Sequence, residues 1–319
     1  MTKITVLAGG IGGARFTRGL LHYLEASDPS ARVTVVVNTG DDLEVHGLHV
    51  SPDLDTVMYT LAGLANNETG WGVRDETWNA SAMLERFGAP TWFRLGDRDL
   101  GTHIGRTARL GMGDSLTKVT ALMSRPLGVR AALLPMSDDR VRTQIRTADG
   151  WLDFQDYFVK RHHDDDVLEV RFDGVEAATA TDQVMAAIAA AQLIVVAPSN
   201  PFLSVAPILS VAGILDALRA SDAPVIGISP IVGREAVRGP AAQIMRSLGT
   251  DPSAAGIARH YTQTWPGLLD VLVIDDVDAA EAASVQATGL RARVTGTLIG
   301  SEKERRRLAL EILELAGAR

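Results

Sequence analysis

The chain of 319 residues contains no cysteine, which excludes disulfides, thiolate nucleophiles and cysteine-ligated metals. No apolar run approaches the roughly 18 residues of a membrane span, and the first residues lack the long apolar stretch of a signal peptide. The net charge of -8 argues against a protein that binds nucleic acid or an anionic membrane. These absences predict a cytoplasmic protein that acts on small molecules.

Hydrophobic residues make up 46% of the chain, which is enough to build a substantial core. Short β-rich runs, such as KITVLA at 3–8 and RVTVVV at 32–37, alternate with helical patterns. This order predicts an α/β fold with a Rossmann-like, doubly wound, mostly parallel sheet, formed by a single domain over residues 1–319. Residues 141–175 alternate polar and apolar side chains around an Ala-Asp-Gly turn, which predicts a β-rich hairpin insert or lid.

Helical spacing of apolar residues predicts the positions of several helices. A cap at Thr181 or Asp182 is expected to begin one of them, and Ser301 is expected to cap the last. The segment between Asn38 and Asp55 is expected to be a polar loop. The predicted helices include 56–64, 75–88, 101–111, 115–124, 208–220 and 301–318.

The first strand is followed by GGIGGAR at 9–15, a glycine-rich turn that leads into a helix. Glycines let the backbone approach a phosphate, which the free N–H groups of the helix N-terminus would bind. The dinucleotide pattern G-x-G-x-x-G fails, because Arg15 replaces the third glycine and the second strand ends in Asn38 rather than an acid. The motif therefore favours a phosphate or nucleotide site of another type, with a tight turn that binds no ligand as the alternative.

Two D-x-D elements stand where helices are predicted to begin, one in SPDLDT at 51–56 and one in LGDRD at 95–99. One carboxylate is enough to cap a helix, and we assign that role to Asp53. Asp55 is then free to hold a divalent cation such as Mg²⁺ together with Asp41 or Asp42, in the loop after the second strand. Acids that only stabilise a helix dipole or solvate a loop are the alternative.

Other polar residues belong to the same predicted edge of the sheet. Arg98 could clamp a phosphate or a planar ring, with a local capping ion pair as the alternative. His103 could be an acid or base, although a single helical histidine is more often structural. Ser199, Asn200 and Ser229 follow apolar strands, where they would face a nucleotide or simply form turns.

These motifs, in this order, resemble the 2-phospho-L-lactate/phosphoenolpyruvate transferases that make the deazaflavin coenzyme F-420. The stretches that carry the resemblance span nearly the whole chain: GGIGGAR, VVNTGDD, SPDLDTVMYTL, GWGVRDET, LGDRDLGTH, LLPMSDD, FQDYFV, APSNP and ISPIVG. The resemblance implies a Mg²⁺-dependent transferase of substituted phosphate groups that works as a homodimer. It would move a phosphoenolpyruvyl or 2-phospho-L-lactyl group from a donor activated with guanosine diphosphate to the ribityl hydroxyl of the deazaflavin Fo. The products would be (dehydro) coenzyme F-420-0 and GMP.

The resemblance also implies roles for individual residues. Asp55 and Arg98 match positions that contact Fo, with Asp97 and His103 beside them. Asp41 and Asp55 become the catalytic candidates, and Asp55 would polarise the attacking hydroxyl. The metal ligands would be Asp41, Asp42 and Asp55. The nucleotide side would be formed by Gly9, Gly10, Gly12, Gly13, Asn38, Thr39, Ser199, Asn200 and Ser229. The substitution Asp55→Ala is then expected to abolish turnover and to leave the fold nearly as stable.

A related family, the gluconeogenesis factors, shares the glycine-rich opening but binds nucleotide sugars and regulates. It is expected to carry a P-G-D-I-R-like stretch in place of SPDLDT and to lack LGDRD, so the transferase is favoured. The arginine-rich, lysine-poor composition is typical of GC-rich genomes such as those of actinobacteria. In such lineages the transferase family tends to use enolpyruvate, which favours the enolpyruvyl donor.

Overall fold

The computed structural model of the chain describes residues 1–66 and 68–317. Strands and helices alternate along the chain, as the hydrophobic pattern predicts. The strands are β1 (Lys3–Ala8), β2 (Arg32–Val37), β3 (Leu43–Val45), β4 (Leu48–Val50), β5 (Ala132–Pro135), β6 (Arg142–Thr147), β7 (Gly150–Asp153), β8 (Glu169–Asp173), β9 (Leu193–Val196), β10 (Val225–Ile228), β11 (Ile231–Val232), β12 (Glu235–Ala236), β13 (Val271–Ile274) and β14 (Arg291–Val294).

The helices cover both faces of the large sheet. They are α1 (Gly10–Ser27), α2 (Pro52–Leu61), α3 (Asn79–Arg86), α4 (Asp97–Gly111), α5 (Leu116–Ser124), α6 (Asp182–Ala189), α7 (Ala206–Ser210), α8 (Ile214–Ala220), α9 (Ala241–Ser247), α10 (Ala254–Thr264), α11 (Ala282–Gln286) and α12 (Glu302–Gly317). Short π-helical turns cover Asp156–Lys160 and Pro201–Val205, and a 3₁₀ helix covers Asp276–Glu281. Within the described residues, none of the helices combines the length and the apolar character that crossing a bilayer requires.

Seven strands form one parallel sheet in the order β14-β13-β10-β9-β1-β2-β5. The chain builds outward from β1 in one direction and then, beginning with β9, in the other. Neighbouring residues of a strand face opposite sides, so Val6 packs into one core layer and Leu7 into the other. This arrangement confirms the predicted doubly wound α/β fold. Its switch point lies between β1 and β9, where loops diverge and open sheets usually bind ligands.

The region from Arg142 to Asp173 forms a separate three-stranded antiparallel sheet in the order β7-β6-β8. Its hairpin turns between Thr147 and Gly150, at the Ala-Asp-Gly sequence. The alternation in FQDYFV does not continue as a strand, because Asp156–Lys160 form a π-helical turn instead. That turn brings aromatic side chains of this small sheet toward the carboxyl edge of the large one.

Several local predictions are refined by the structure. The loop after β2 contains the hairpin of β3 and β4, whose turn places His46 and Gly47 at positive φ. The single helix expected at 208–220 breaks into α7 and α8, because Gly213 adopts a left-handed φ of 91°. The predicted cap of α12 is confirmed as a capping box, in which the Glu304 amide donates to Ser301 Oγ over 3.2 Å. Ala318, the last residue of that predicted helix, lies outside the described residues.

Candidate functional site

A cavity of about 650 Å³ opens at the carboxyl edge of the large sheet, beside the switch point. The loops after β1 and β9 form one wall, and the small antiparallel sheet and α2 contribute others. Five aromatic side chains face it: Tyr59, Trp71, Phe93, Phe154 and Phe158. A volume of this size, with apolar walls and a few polar groups, is typical of a small-molecule site.

The loops that follow β1, β2 and β9 are joined by buried hydrogen bonds. The Gly9 amide donates to Ser199 Oγ over 3.1 Å, and that hydroxyl donates to the Gly9 carbonyl over 2.8 Å. Asn38 Nδ2 donates to the Leu203 carbonyl over 3.2 Å, and Asn38 Oδ1 accepts from the Gly40 amide over 2.8 Å. Polar residues that are far apart in the sequence are thus brought to one edge, as expected from parallel strands.

The loop after β1 requires glycine for its own conformation and packing, apart from any role in binding a ligand. Gly10 has a left-handed φ of 62°, and a Cβ on Gly12 would collide with the Pro198 carbonyl oxygen. Helix α1 begins at Gly10; its N-cap residue Gly9 has no side chain to cap it, and the Gly10 amide donates to Asp53 Oδ1. The backbone at Ile11 and Gly12 lines the cavity, so the unsatisfied N–H groups of the first turn are available to an anion.

The nine predicted nucleotide residues separate into two groups. Those that line the cavity are Gly9, Gly10, Gly12, Ser199 and Asn200. The remaining four, Gly13, Asn38, Thr39 and Ser229, are buried behind it. Ser229, for example, uses its hydroxyl to donate to the Ile231 carbonyl over 3.0 Å. The second group therefore supports the loops that carry the first.

Asp53 does not cap α2, which corrects the prediction. The helix begins earlier than expected, at Pro52, and its cap residue is Ser51. The Asp53 carboxylate instead accepts from the Gly10 amide over 2.8 Å and from Asn38 Nδ2 over 2.9 Å. It therefore ties the first turn of α2 to the loops after β1 and β2. Burial raises the pKa of Asp53 to about 6.

Two more buried aspartates lie next to Asp53. Asp42 Oδ2 accepts from Ser51 Oγ over 2.8 Å and lies 2.9 Å from His49 Nε2. In contrast, Oδ1 of Asp41 and Oδ1 of Asp42 are buried with no hydrogen-bond partner among the described residues. Burial, together with the charge of Asp53, raises the pKa of Asp41 well above its usual value. A divalent cation fits these residues, because it would satisfy the free oxygens and offset the crowded negative charge.

Asp55 lines the same cavity but is held by Arg106 of α4. Arg106 Nη1 donates to Asp55 Oδ2 over 3.0 Å, and Nη2 donates to Asp55 Oδ1. Burial alone would lower the pKa of Arg106, but the Asp55 carboxylate outweighs burial, so the pKa is raised. Both Asp55 oxygens are thus engaged, which makes Asp55 less suited to bind a metal than the prediction assumed. Among the described residues, no group of three or more His, Cys, Asp or Glu is arranged to hold a metal.

A buried network continues from Asp55 along α4 to Tyr59. His103 Nδ1 lies 3.7 Å from Asp55 Oδ2, and His103 Nε2 lies 3.3 Å from Asp99 Oδ2. The Tyr59 hydroxyl donates to Asp99 Oδ1 over 2.6 Å. Sequence reasoning missed Arg106, Asp99 and Tyr59. Helical spacing could have indicated the first two, because Asp99, His103 and Arg106 recur on one face of α4.

Asp97 and Arg98 lie apart from the residues that line the cavity. The Asp97 carboxylate accepts from the Ala80 amide over 3.0 Å and from the Asn79 amide over 3.0 Å, so it caps α3 from a neighbouring helix. Arg98 is exposed, and its Nη1 donates to the Arg74 carbonyl over 3.0 Å. Contact of these two residues with Fo stays a prediction, whereas His103 and Asp55 do face the cavity.

The model of the family described as 2-phospho-L-lactate transferase CofD matches residues 4–300. The chain belongs to this CofD family. Membership confirms the resemblance seen in the sequence and the assignment to the transferases. A CofD family relative from Streptomyces griseus, named phosphoenolpyruvate transferase, is 46% identical over 98% of both chains. Another of the same name from Mycobacterium ulcerans is 41% identical over 89% of this chain and 91% of its own.

The CofD chain also has structural neighbours at much lower sequence identity. A crystal structure of a UPF0052 family protein from Bacillus halodurans superimposes with a TM-score of 0.67. The match covers 98% of each chain at 16% identity, so it supports the fold alone.

Proposed function

We propose that this CofD family member transfers a phosphoenolpyruvyl group from a donor activated with guanosine diphosphate to the ribityl hydroxyl of Fo. The observation that carries the proposal is the convergence at one cavity of three features. These are the first-turn N–H groups of α1 at Ile11 and Gly12, the unpartnered Oδ1 of Asp41 and the aromatic walls. They match an anionic donor, a cation and a planar acceptor. The name of the Streptomyces griseus relative supports the enolpyruvyl over the 2-phospho-L-lactyl donor.

The donor would bind along the loops after β1 and β9. First-turn N–H groups at Ile11 and Gly12 are placed to bind its diphosphate, and Asn200 lies beside the nucleoside. Asp41 and Asp42 would hold Mg²⁺, which neutralises charge on the transferred phosphate when bound. The buried hydrogen bonds of Asn38 and Ser199 keep these loops rigid, and positioning is most of what phosphoryl transfer requires.

The acceptor would lie between the aromatic walls with its ribityl chain toward Asp55. The hydroxyl oxygen of Fo attacks the distal phosphorus of the donor, a new P–O bond forms, and the P–O bond to GMP breaks. The hydroxyl proton passes to solvent water in the same step, and GMP leaves as its phosphate anion. Asp55 accepts the hydrogen bond of this hydroxyl and orients it, while two hydrogen bonds from Arg106 hold the Asp55 carboxylate in place. The enzyme class is thus a transferase of substituted phosphate groups.

The protein would be cytoplasmic, as its composition predicts, and a homodimer, as the resemblance implies. Both the location and the oligomeric state stay predictions, together with the requirement for Mg²⁺. Its substrates would be small molecules, and it would bind neither nucleic acid nor membranes.

The experiment that tests the proposal mixes pure protein with Fo, Mg²⁺ and each guanylylated donor in turn, and analyses the products by mass spectrometry. We expect the enolpyruvyl phosphodiester of Fo and an equal amount of GMP. Product from the phospholactyl donor alone would reverse the donor assignment. No product from either donor, with UDP-N-acetylglucosamine raising the melting temperature more than GDP does, would favour a nucleotide-sugar-binding regulator instead.

A further inference from the structure

A second cavity of about 320 Å³ adjoins the first on the side of the small antiparallel sheet. Both cavities are lined by Asp41, Phe154 and Gln155, so the second opens beside the candidate cation site. Unlike the aromatic main cavity, it is lined mostly by charged and polar residues. These include Asp42, Glu44, Arg140, Arg142, Thr143 and Asp153. A ligand bound at Asp41 can therefore extend in two chemically different directions.

Arg142, the first residue of β6, differs from the other arginines at these cavities. It is half-buried, whereas Arg94, Arg140 and Arg238 are exposed. Its Nη1 donates to the Val141 carbonyl over 2.8 Å. Among the described residues, no carboxylate lies within ion-pair distance of its guanidinium. Burial lowers the pKa of Arg142, although the charges of Asp42, Glu44 and Asp153 nearby oppose this effect. A desolvated guanidinium that has no acid in direct contact can still bind an anionic partner.

The acids around Arg142 are largely engaged with other groups. Gln144 Nε2 donates to Asp153 Oδ1 over 3.2 Å, and Lys160 Nζ lies 3.6 Å from Asp156 Oδ1. Asp42 Oδ2 accepts from Ser51, whereas Asp42 Oδ1 is the free oxygen beside the candidate cation site, and Glu44 is exposed. The guanidinium of Arg142 can therefore bind the carboxylate of a ligand through two parallel N–H···O hydrogen bonds.

We propose that the second cavity receives the three-carbon acid of the donor and that Arg142 binds its carboxylate. The inference rests on the proposed function, since only that donor joins a carboxylic acid to the reacting phosphate. With the phosphate at Asp41, the nucleotide extends into the main cavity and the acid into the second. The carboxylate is a feature that both candidate donors share, so Arg142 selects acids of this class without choosing between them.

The test compares Arg142→Gln with the matched change Arg146→Gln, which alters an exposed arginine of the same strand that lines neither cavity and whose Nη2 lies 2.9 Å from Glu169 Oε2. Arg142→Gln is expected to raise the KM for the donor about ten- to a hundredfold and to leave the KM for Fo within about twofold. Arg146→Gln should behave as wild type. Inhibition by free phosphoenolpyruvate should weaken about tenfold or more in Arg142→Gln, while inhibition by inorganic phosphate stays unchanged.

An Arg142→Gln variant with wild-type donor KM and wild-type phosphoenolpyruvate inhibition would overturn the inference. If this variant does not fold, Arg142→Lys keeps the charge but loses the two parallel hydrogen bonds, and an unchanged donor KM there would overturn it equally. If wild type makes no product from either donor, the proposed function fails. Titration calorimetry of wild type and Arg142→Gln with phosphoenolpyruvate then tests the carboxylate site by itself. Binding to wild type that is lost in Arg142→Gln would support a carboxylate site, whereas equal or absent binding would not.

Discussion

The two D-x-D elements begin helices α2 and α4, yet their carboxylates work in different ways. In α2, Asp53 bonds to Gly10 and Asn38 inside the protein, and Asp55 pairs with Arg106. In α4, by contrast, Asp97 caps the neighbouring helix α3 near the surface. Residues two apart lie on nearly opposite sides of a helix. The two aspartates of each element therefore bond to different parts of the protein.

Burial explains the electrostatic difference between the elements. Asp97 accepts several hydrogen bonds near solvent, led by that of the Thr77 hydroxyl, and they lower the pKa of its carboxyl. Asp53 also accepts hydrogen bonds, but burial outweighs them and raises the pKa to about 6. The same motif therefore stabilises the folded state through Asp97, whereas the buried charge of Asp53 destabilises it. Clusters of the second kind are common where a protein binds a cation or substrate.

The largest effect is expected for Asp55→Ala. Turnover should fall by about a hundred- to a thousandfold, because the group that orients the attacking hydroxyl is lost. The fold should also lose about 3–5 kcal/mol, because Arg106 is left buried without its partner. This corrects the expectation from sequence that the fold would be nearly unaffected. Urea unfolding and steady-state kinetics measure the two losses.

The double variant Asp55→Ala/Arg106→Leu separates the two effects. We expect it to recover much of the stability of the wild type and none of its activity. Full activity in the double variant would show that the ion pair serves only the fold, which would remove Asp55 from the reaction.

A second effect concerns pH and distinguishes Asp53 from Asp97. The pKa of Asp53 is raised from 3.8 to about 6, so the folded state binds more protons between these values. The stability that protonated Asp53 contributes is present below pH 3.8 and is lost as the pH rises through 6. The pKa of Asp97 is lowered, so its contribution is present at neutral pH and lost below its usual range.

Urea unfolding in EDTA, from pH 4.5 to 7.5, measures this contrast. Relative to wild type, Asp53→Asn should gain on the order of 2 kcal/mol across that range. The difference between Asp97→Asn and wild type should stay constant over the same range. Parallel pH profiles for Asp53→Asn and wild type would contradict the assignment of buried, unfavourable charge to Asp53.

The smallest effect is expected for Asp97→Ala, which removes the cap of α3. The melting temperature should fall modestly, while kcat and the KM for Fo stay within about twofold of wild type. The matched change Asp99→Ala, in the same element, removes a group that lines the cavity and should raise the KM for Fo. Equal increases in the KM for Fo in both variants would show that Asp97 belongs to the acceptor site, as the resemblance implies.

Short-range patterns predicted the large sheet and the cap at Ser301, because they depend on neighbours within a turn or a strand. Helical spacing could place Arg106 on the same face of α4 as His103, but not beside Asp55, since Arg106 lies 51 positions away and packing of α4 against β4 brings it there. The role of Asp53 was wrong for a related reason. Helix α2 begins at Pro52 rather than after Asp53, so Asp53 lies in its first turn and accepts from Gly10 and Asn38 in the loops of two other strands.

The most direct test of this account is an anomalous difference map from crystals grown with GDP and Mn²⁺, which replaces Mg²⁺. We predict one strong peak against the free oxygens of Asp41 and Asp42, with the diphosphate at the first turn of α1. A peak on Asp55 would restore the metal set expected from the sequence. A map with GDP bound but the metal elsewhere would contradict the claim that the aspartates beside β2 form the cation site of this transferase.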